Sequence, residues 1–233
     1  SSILDASGNG NPGTIYLQTL GNTSLPTAWT NGAGANAKLG SQALSFDGVD
    51  DYVNVGNIFT SSQTELTVEL WTYVNLFNQP AGTAISTPFV SDWNVYADGS
   101  QKGYMLRTMH ASTNLTAWDF IISNGSSYYS ATASWTADAT FSTQYAGQWL
   151  HVVGTFKGGQ FIKLYINGQE TASLTTGVPA QMAPDTTNVD WIARTGVNSG
   201  YLKGTIDEVA IYNRALTQAE ITARYNAGAG REG

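Results

Sequence analysis

The stretch from Ala43 to Asn57, ALSFDGVDDYVNVGN, sets three aspartates, Asp47, Asp50 and Asp51, within five residues and flanks them with strand-like apolar residues. Carboxylates so close repel one another, so either water screens them or something positive holds them. A net charge of −7 makes a divalent cation the easier partner of the two kinds of charge. The competing reading is that Asp-Gly only turns a hairpin and leaves Asp50 and Asp51 in water.

Glycoside hydrolysis would need two carboxylates facing each other across the scissile bond. On a strand such acids stand at i and i+2 or i+4, where they share a face. Glu65 and Glu69 in TELTVELW have that parity, but Glu65 opens the strand, where a solvated acid is the commoner arrangement. His151 sits inside the strand phrase QWLHVVG and His110 reads as a rim residue, so neither reads as a base. With no cysteine there is no disulfide, thiol nucleophile or Cys-based zinc site. No phosphate loop or zinc helix is present. The chain reads as non-catalytic, with a glycoside hydrolase a distant third possibility.

Sugar recognition asks for aromatic platforms against pyranose C–H faces, with amides, carboxylates and Arg for the hydroxyls. The chain has 7 Trp and 12 Tyr. Trp71, Trp149, Tyr52, Tyr165 and Tyr212 read as packing residues of strands. The candidate ligand-binding rings are Trp93, Tyr96, Trp118, Tyr128, Tyr129 and Trp135, with Tyr145 nearby. Arg107 and Asp119 are their candidate polar partners, accompanied by Asp92, Asn94, Asp98 and Asn124. If these residues converge on one rim or on the concave face they form a glycan site. If they pack on each other they form a small private core.

Charged residues make up only 12% of the chain, and Lys plus Arg total 10. That balance excludes a nucleic-acid partner and disfavours anionic bilayers and polyanionic glycans. No apolar run is long enough to insert in a membrane, and no signal peptide is visible, so the chain reads as a mature product or excised module.

The elements that must position these residues are short β-type runs divided by Gly, Asn and Ser turns. ALSF, DYVNVG, ELTVELWTYVNLF, GYMLRTM and WDFIIS read as strands. Residues 149–156 and 161–166 read as two more, joined by Lys-Gly-Gly-Gln, and INGQE supplies an Asn-Gly hairpin turn. GTIDEVAIY is the last strand. NRALTQAEITARYNAG then gives a helix signal, with Thr217 and Glu220 as a capping box and Gly228 as the stop. Residues 76–102 and 123–147 are expected to be long polar, aromatic-rich loops. The whole, 1–233, is expected to be a single all-β domain, an antiparallel β-sandwich jelly roll with one short C-terminal helix.

Five phrases in order, DASGNGNPGT, ALSFDGVDDYVNVG, LTVELWTYV, QWLHVVGTFKGGQFIKLYINGQ and GTIDEVAIYNRALTQAEI, resemble laminin-G-like jelly-roll domains of the concanavalin A-like lectin/glucanase superfamily. The resemblance implies a structural Ca2+ where the first loop, the Asp-Gly turn and the last strand meet. Its implied ligands are Asp207 and Asp47, then Asp5 and Asn9, with Asp50 or Asp51 adding a carboxylate or carbonyl. Calcium takes six to eight oxygens from such loops. The resemblance further implies an extracellular, secreted or cell-surface carbohydrate-binding module whose partner is a glycan or polysaccharide. The alternative is a protein-binding or adhesion domain of a larger chain.

Overall fold

The structure is a computed structural model that describes residues 2–16, 43–74, 85–96, 99–111, 115–135, 145, 147–187, 189–196 and 200–229. The elements named among the described residues are β1 (Ser2–Ile3), β2 (Gly13–Tyr16), β3 (Leu44–Asp47), β4 (Tyr52–Asn54), β5 (Glu65–Val74), β6 (Ile85–Ser91), β7 (Asn94–Val95), β8 (Gln101–Lys102), β9 (Tyr104–Ala111), β10 (Leu115–Ser123), β11 (Tyr128–Trp135), β12 (Trp149–Lys157), β13 (Phe161–Ile166), β14 (Gln169–Leu174), β15 (Trp191–Ile192), β16 (Lys203–Tyr212) and α1 (Gln218–Ala229).

These strands build two antiparallel sheets packed face to face. The larger has the order β1-β2-β4-β15-β6-β9-β10-β11 and the smaller the order β14-β13-β12-β5-β16-β3, while β7 and β8 form a separate ribbon. Alternation explains the core. Leu66, Val68 and Leu70 of β5 are fully buried and face inward, as do Tyr104 and Leu106 of β9 and Trp118, Phe120 and Ile122 of β10. The sheets approach so closely that a Cβ on Gly154 would stand 2.3 Å from the Phe120 ring.

Local signals hold where the chemistry is local. Asn167 and Gly168 take φ of 51° and 75°, the left-handed pair that joins β13 to β14. The Thr217 amide donates to Glu220 Oε2 at 2.8 Å and the Glu220 amide to Thr217 Oγ1 at 3.3 Å, which closes the capping box.

The two segments expected to be loops contain regular strands. β6 lies within 76–102, and β11 lies within 123–147. β11 pairs along its length with β10, turning Ala131 and Ala133 inward and Thr132 and Ser134 to solvent. Its central inward residues, Ala131 and Ala133, are small, so the apolar half of the alternation is too faint there to mark a strand.

Candidate functional site

The outer faces of the two sheets differ. Outside the six-stranded sheet, β5 and β12 present Trp71, Glu69, His151 and Val153, and α1 lies over them. Trp71 stacks 5.9 Å from Tyr225, and Val153 and Tyr165 form a buried cluster with Leu216 and Ile221. A Cβ on Gly228 would come within 2.4 Å of Trp71, so only glycine lets the helix end approach. Each of these buried side chains contributes roughly 1.5–3 kcal/mol. Glu69 accepts from His151 Nε2 at 3.1 Å and stands 3.6 Å from Arg224, beneath the helix. Glu65 accepts from the Ala215 amide and pairs with Lys157 at 3.3 Å. The two acids considered for hydrolysis are therefore engaged, one of them under cover.

Outside the eight-stranded sheet no element of this kind lies across the described residues. The β2–β4 register sets Tyr16 opposite Tyr52, and their rings stack at 4.8 Å with 7° between planes. Tyr16 remains 43% exposed. Tyr201 tilts against Tyr52 at 6.4 Å, and Arg194 lies over the Tyr52 ring at 4.5 Å. Further along the same face, Arg107 grips Asp119 with Nε at 2.8 Å and Nη2 at 3.1 Å, while Nη1 donates to Ser86 Oγ. Beyond that pair, Trp93, Met105 and Ile121 pack together, and Tyr128 stands edge-on to Trp93 at 6.1 Å, itself 56% exposed.

The candidate rings thus divide. Tyr128 and, more shallowly, Trp93 belong to this outer face. Trp118 does not: it is fully buried between the sheets against Phe89 at 5.2 Å, because even-numbered residues of β10 face inward. Tyr129, next to Tyr128, turns to the core side and its hydroxyl receives the Asn124 amide. The Tyr96 hydroxyl donates to Asp185 and meets Thr187 Oγ1 at 2.8 Å, tying a loop rather than facing a ligand. Arg107 and Asp119 satisfy each other. Trp135 closes β11, but its side chain, like those of His110 and Asp98, lies outside the described residues. The sequence reading missed Tyr16, Tyr201 and Arg194, and it counted Tyr52 as packing. The one available signal was that Tyr16 and Tyr52 each alternate with a buried neighbour, Ile15 and Val53.

Asp92, expected in the polar set, is buried with Asp185 and Asp190. Tyr104 donates to Asp190 Oδ1 at 2.6 Å, the Ile58 amide to Asp190 Oδ2 at 2.8 Å, and the Asp185 amide to Asp92 Oδ2 at 3.1 Å. Burial, with Asp190 alongside, pushes the Asp92 carboxyl up to about 9. Burial likewise raises Asp190 to about 6. These acids fasten the segment before β15 to the sheet.

Asp47, Asp50 and Asp51 do converge: one carboxylate oxygen from each lies within 4.8 Å of the others. Asp51 is almost fully buried, and its Oδ2 accepts the Asp47 amide at 3.2 Å. Asp51 Oδ1 and Asp50 Oδ1 are buried with no hydrogen-bond partner. Burial, and then the Asp47 charge, raise the pKa of both. The other expected ligands stand apart. Asp47 pairs with Lys203 across β3 and β16, and Asp207 is four residues further on, about 13 Å along the strand. Asp207 Oδ1 instead accepts the Glu208 amide. Asp5 shapes its own loop, accepting from the Ser7 and Asn11 amides; the Ser7 hydroxyl, then the Asn11 and Ser7 amides, lower its pKa to about 2. Asn9 belongs to that loop, which enters β2 at Gly13, the end of β4 away from Asp51. The structure therefore brings Asp47 together with Asp50 and Asp51, and does not bring Asp207, Asp5 or Asn9 to them.

The profile of the concanavalin A-like lectin/glucanases superfamily, in its laminin-G form, matches residues 47–222, and the chain belongs to that family. No curated protein sequence matches. Among solved structures, the chain is similar to domain 4 of AbnA, a GH43 extracellular arabinanase from Geobacillus stearothermophilus, in complex with arabinotriose. That likeness has a TM-score of 0.60 at 22% identity over 94% of this chain and 90% of that domain. The binding domain of Paraclostridial Mosquitocidal Protein 1 gives 0.65 at 16% identity over 96% of this chain. The receptor binding domain of botulinum neurotoxin D gives 0.57 at 18% over 94%. The chain spans 49% and 48% of those two toxin domains. At these identities the likeness establishes the fold.

Proposed function

We propose that this domain is a non-catalytic carbohydrate-binding module that takes its glycan on the outer face of the eight-stranded sheet. The observation that carries the reading is the stacked Tyr16–Tyr52 pair, with Tyr16 exposed and Tyr52 half-buried, on a face that no helix covers among the described residues. The exposed Tyr16 ring and the solvent-facing edges of the stack offer apolar surface for the C–H groups of a sugar. The arabinotriose complex of the AbnA domain supports the same assignment by fold. Non-catalytic action is supported by Glu65 and Glu69 being held in structural contacts.

The module holds a calcium ion at Asp47, Asp50 and Asp51. The unpartnered buried oxygens of Asp50 and Asp51 support this, because a cation would satisfy both and offset the repulsion among three acids. Millimolar extracellular calcium would fill such a site, which fits a secreted or cell-surface setting. Among the described residues no helix is long and apolar enough to cross a membrane.

Binding to a broad glycan and polysaccharide array in calcium buffer tests the first reading. A reproducible hit supports it, and a blank redirects the domain to protein partners. For the ion, calcium should raise the melting temperature and a chelator should reverse the gain. An unchanged melt, with no metal by elemental analysis, removes calcium from the account.

A further inference from the structure

The arginines of the described residues fall into two groups. Arg107 pairs with Asp119, Arg214 with Glu220 and Arg224 with Glu69, at 2.8, 2.8 and 3.6 Å. Arg194 is the exception. Its contacts are three rings, with its guanidinium 4.5 Å from Tyr52, 5.7 Å from Tyr201 and 5.8 Å from Trp191. Among the described residues its nitrogens donate to no carboxylate, carbonyl or hydroxyl. The chain has 17 acidic and 10 basic residues, and among the described ones none of the acids pairs with Arg194.

Its placement gives that charge a direction. A backbone bridge between Arg194 and Tyr201 fixes the segment, and the rings around it hold the guanidinium beside the Tyr16–Tyr52 stack. Ring stacking occupies a guanidinium's faces but leaves its N–H donors, which project in the plane, for a partner. The partner that uses a planar fork of donors best is a carboxylate, received through two parallel hydrogen bonds.

We infer that the Tyr16–Tyr52–Arg194 site selects a saccharide unit that carries a carboxylate, a sugar acid that lies along the solvent-facing edges of the stacked row and sets its acid group against Arg194. This inference rests on the glycan-binding reading and narrows it. It concerns one acid group at one subsite. A polyanion lying along the surface would meet the repulsion of a protein with net charge −7.

The test is calorimetric titration, at low salt, of an oligosaccharide ending in a single glucuronate and of the same oligosaccharide as its methyl ester. A sialyl-terminated oligosaccharide and its methyl ester form a second pair. The expected result is that one acid binds at least tenfold more tightly than its ester, and the pair showing the preference identifies the kind of sugar acid. Arg194→Gln should abolish the preference while leaving ester binding in place, and Arg194→Lys should retain part of it, having charge without the fork. Equal affinity for acid and ester in both pairs overturns the inference. So does a glycan array whose hits are all neutral sugars, and in that case glycan binding itself stands. A blank array overturns both readings together. The acid–ester comparison uses the unaltered protein, so a poorly folding variant does not blunt it.

Discussion

Trp71 on β5 and Tyr52 on β4 are both aromatic residues on the outer side of a strand, yet the protein treats them oppositely. Trp71 is covered by α1, which brings Tyr225 to its ring and uses Gly228 to come close. Among the described residues Tyr52 has Tyr16, Tyr201 and Arg194 around it, and its neighbour Tyr16 is 43% exposed. The first face is spent on stability. The second is organised by strand register alone and keeps its rings available. An outward aromatic in this fold is thus packing or platform according to what the chain lays over it.

The largest expected effect tests the covered face. Trp71→Ala should cost about 3–5 kcal/mol in denaturant unfolding, because it opens a cavity beneath α1. A loss under about 1 kcal/mol would mean that the helix contributes little and that the two faces differ less than their geometry indicates.

Next is the support beneath the open face. Asp92 and Asp190 have folded pKa values of about 9 and about 6, each raised chiefly by burial. Between their unfolded values, about 4, and these folded values, the folded state holds more protons than the unfolded one. Stability from these groups is therefore greatest in acid and falls as the pH climbs through that window. Asp92→Asn, which keeps an acceptor for the Asp185 amide and removes the charge, should flatten the upper part of the fall. It should raise stability near pH 8 by about 1–3 kcal/mol in denaturant titrations run at several pH values. A variant that melts earlier than the parent at every pH would show that the charged form is the one the fold requires.

The smallest expected change in free energy tests the open face directly. Tyr52→Ala should weaken binding of the glycan that the array identifies by about tenfold, the worth of a good aromatic stack, while moving the melting temperature by no more than a degree or two. Equal loss of stability and binding would make Tyr52 a packing residue like Trp71, and the contrast would fail.

Much of the architecture was legible in sequence because its causes are local. The Leu66–Val68–Leu70 alternation, the Asn167–Gly168 turn and the Thr217–Glu220 box each act within a few residues. β11 was not legible, because Ala131 and Ala133 give too little apolar contrast until β10 lies beside them. The candidate site was legible in part. Three acids around one Asp-Gly turn do converge, and Tyr128, named as a candidate ligand-binding ring, stands on the outer face. Asp207 was set in the wrong company, since sequence does not give the register by which Lys203, and not Asp207, faces Asp47.

The sequence by itself determined which segments become strands with two distinct sides, where the chain turns and how the last helix starts. It also ruled out cysteine chemistry, through simple absence. The tertiary structure alone decided which side of each strand meets solvent, because that depends on the partner lying over it. It buried Trp118 between the sheets, enclosed Glu69 and His151 under α1, and joined Tyr16 to Tyr52 across a register that no local preference encodes. Side-chain alternation is a property of one strand, whereas exposure is a property of the assembled layers, and the proposed binding face follows from the second.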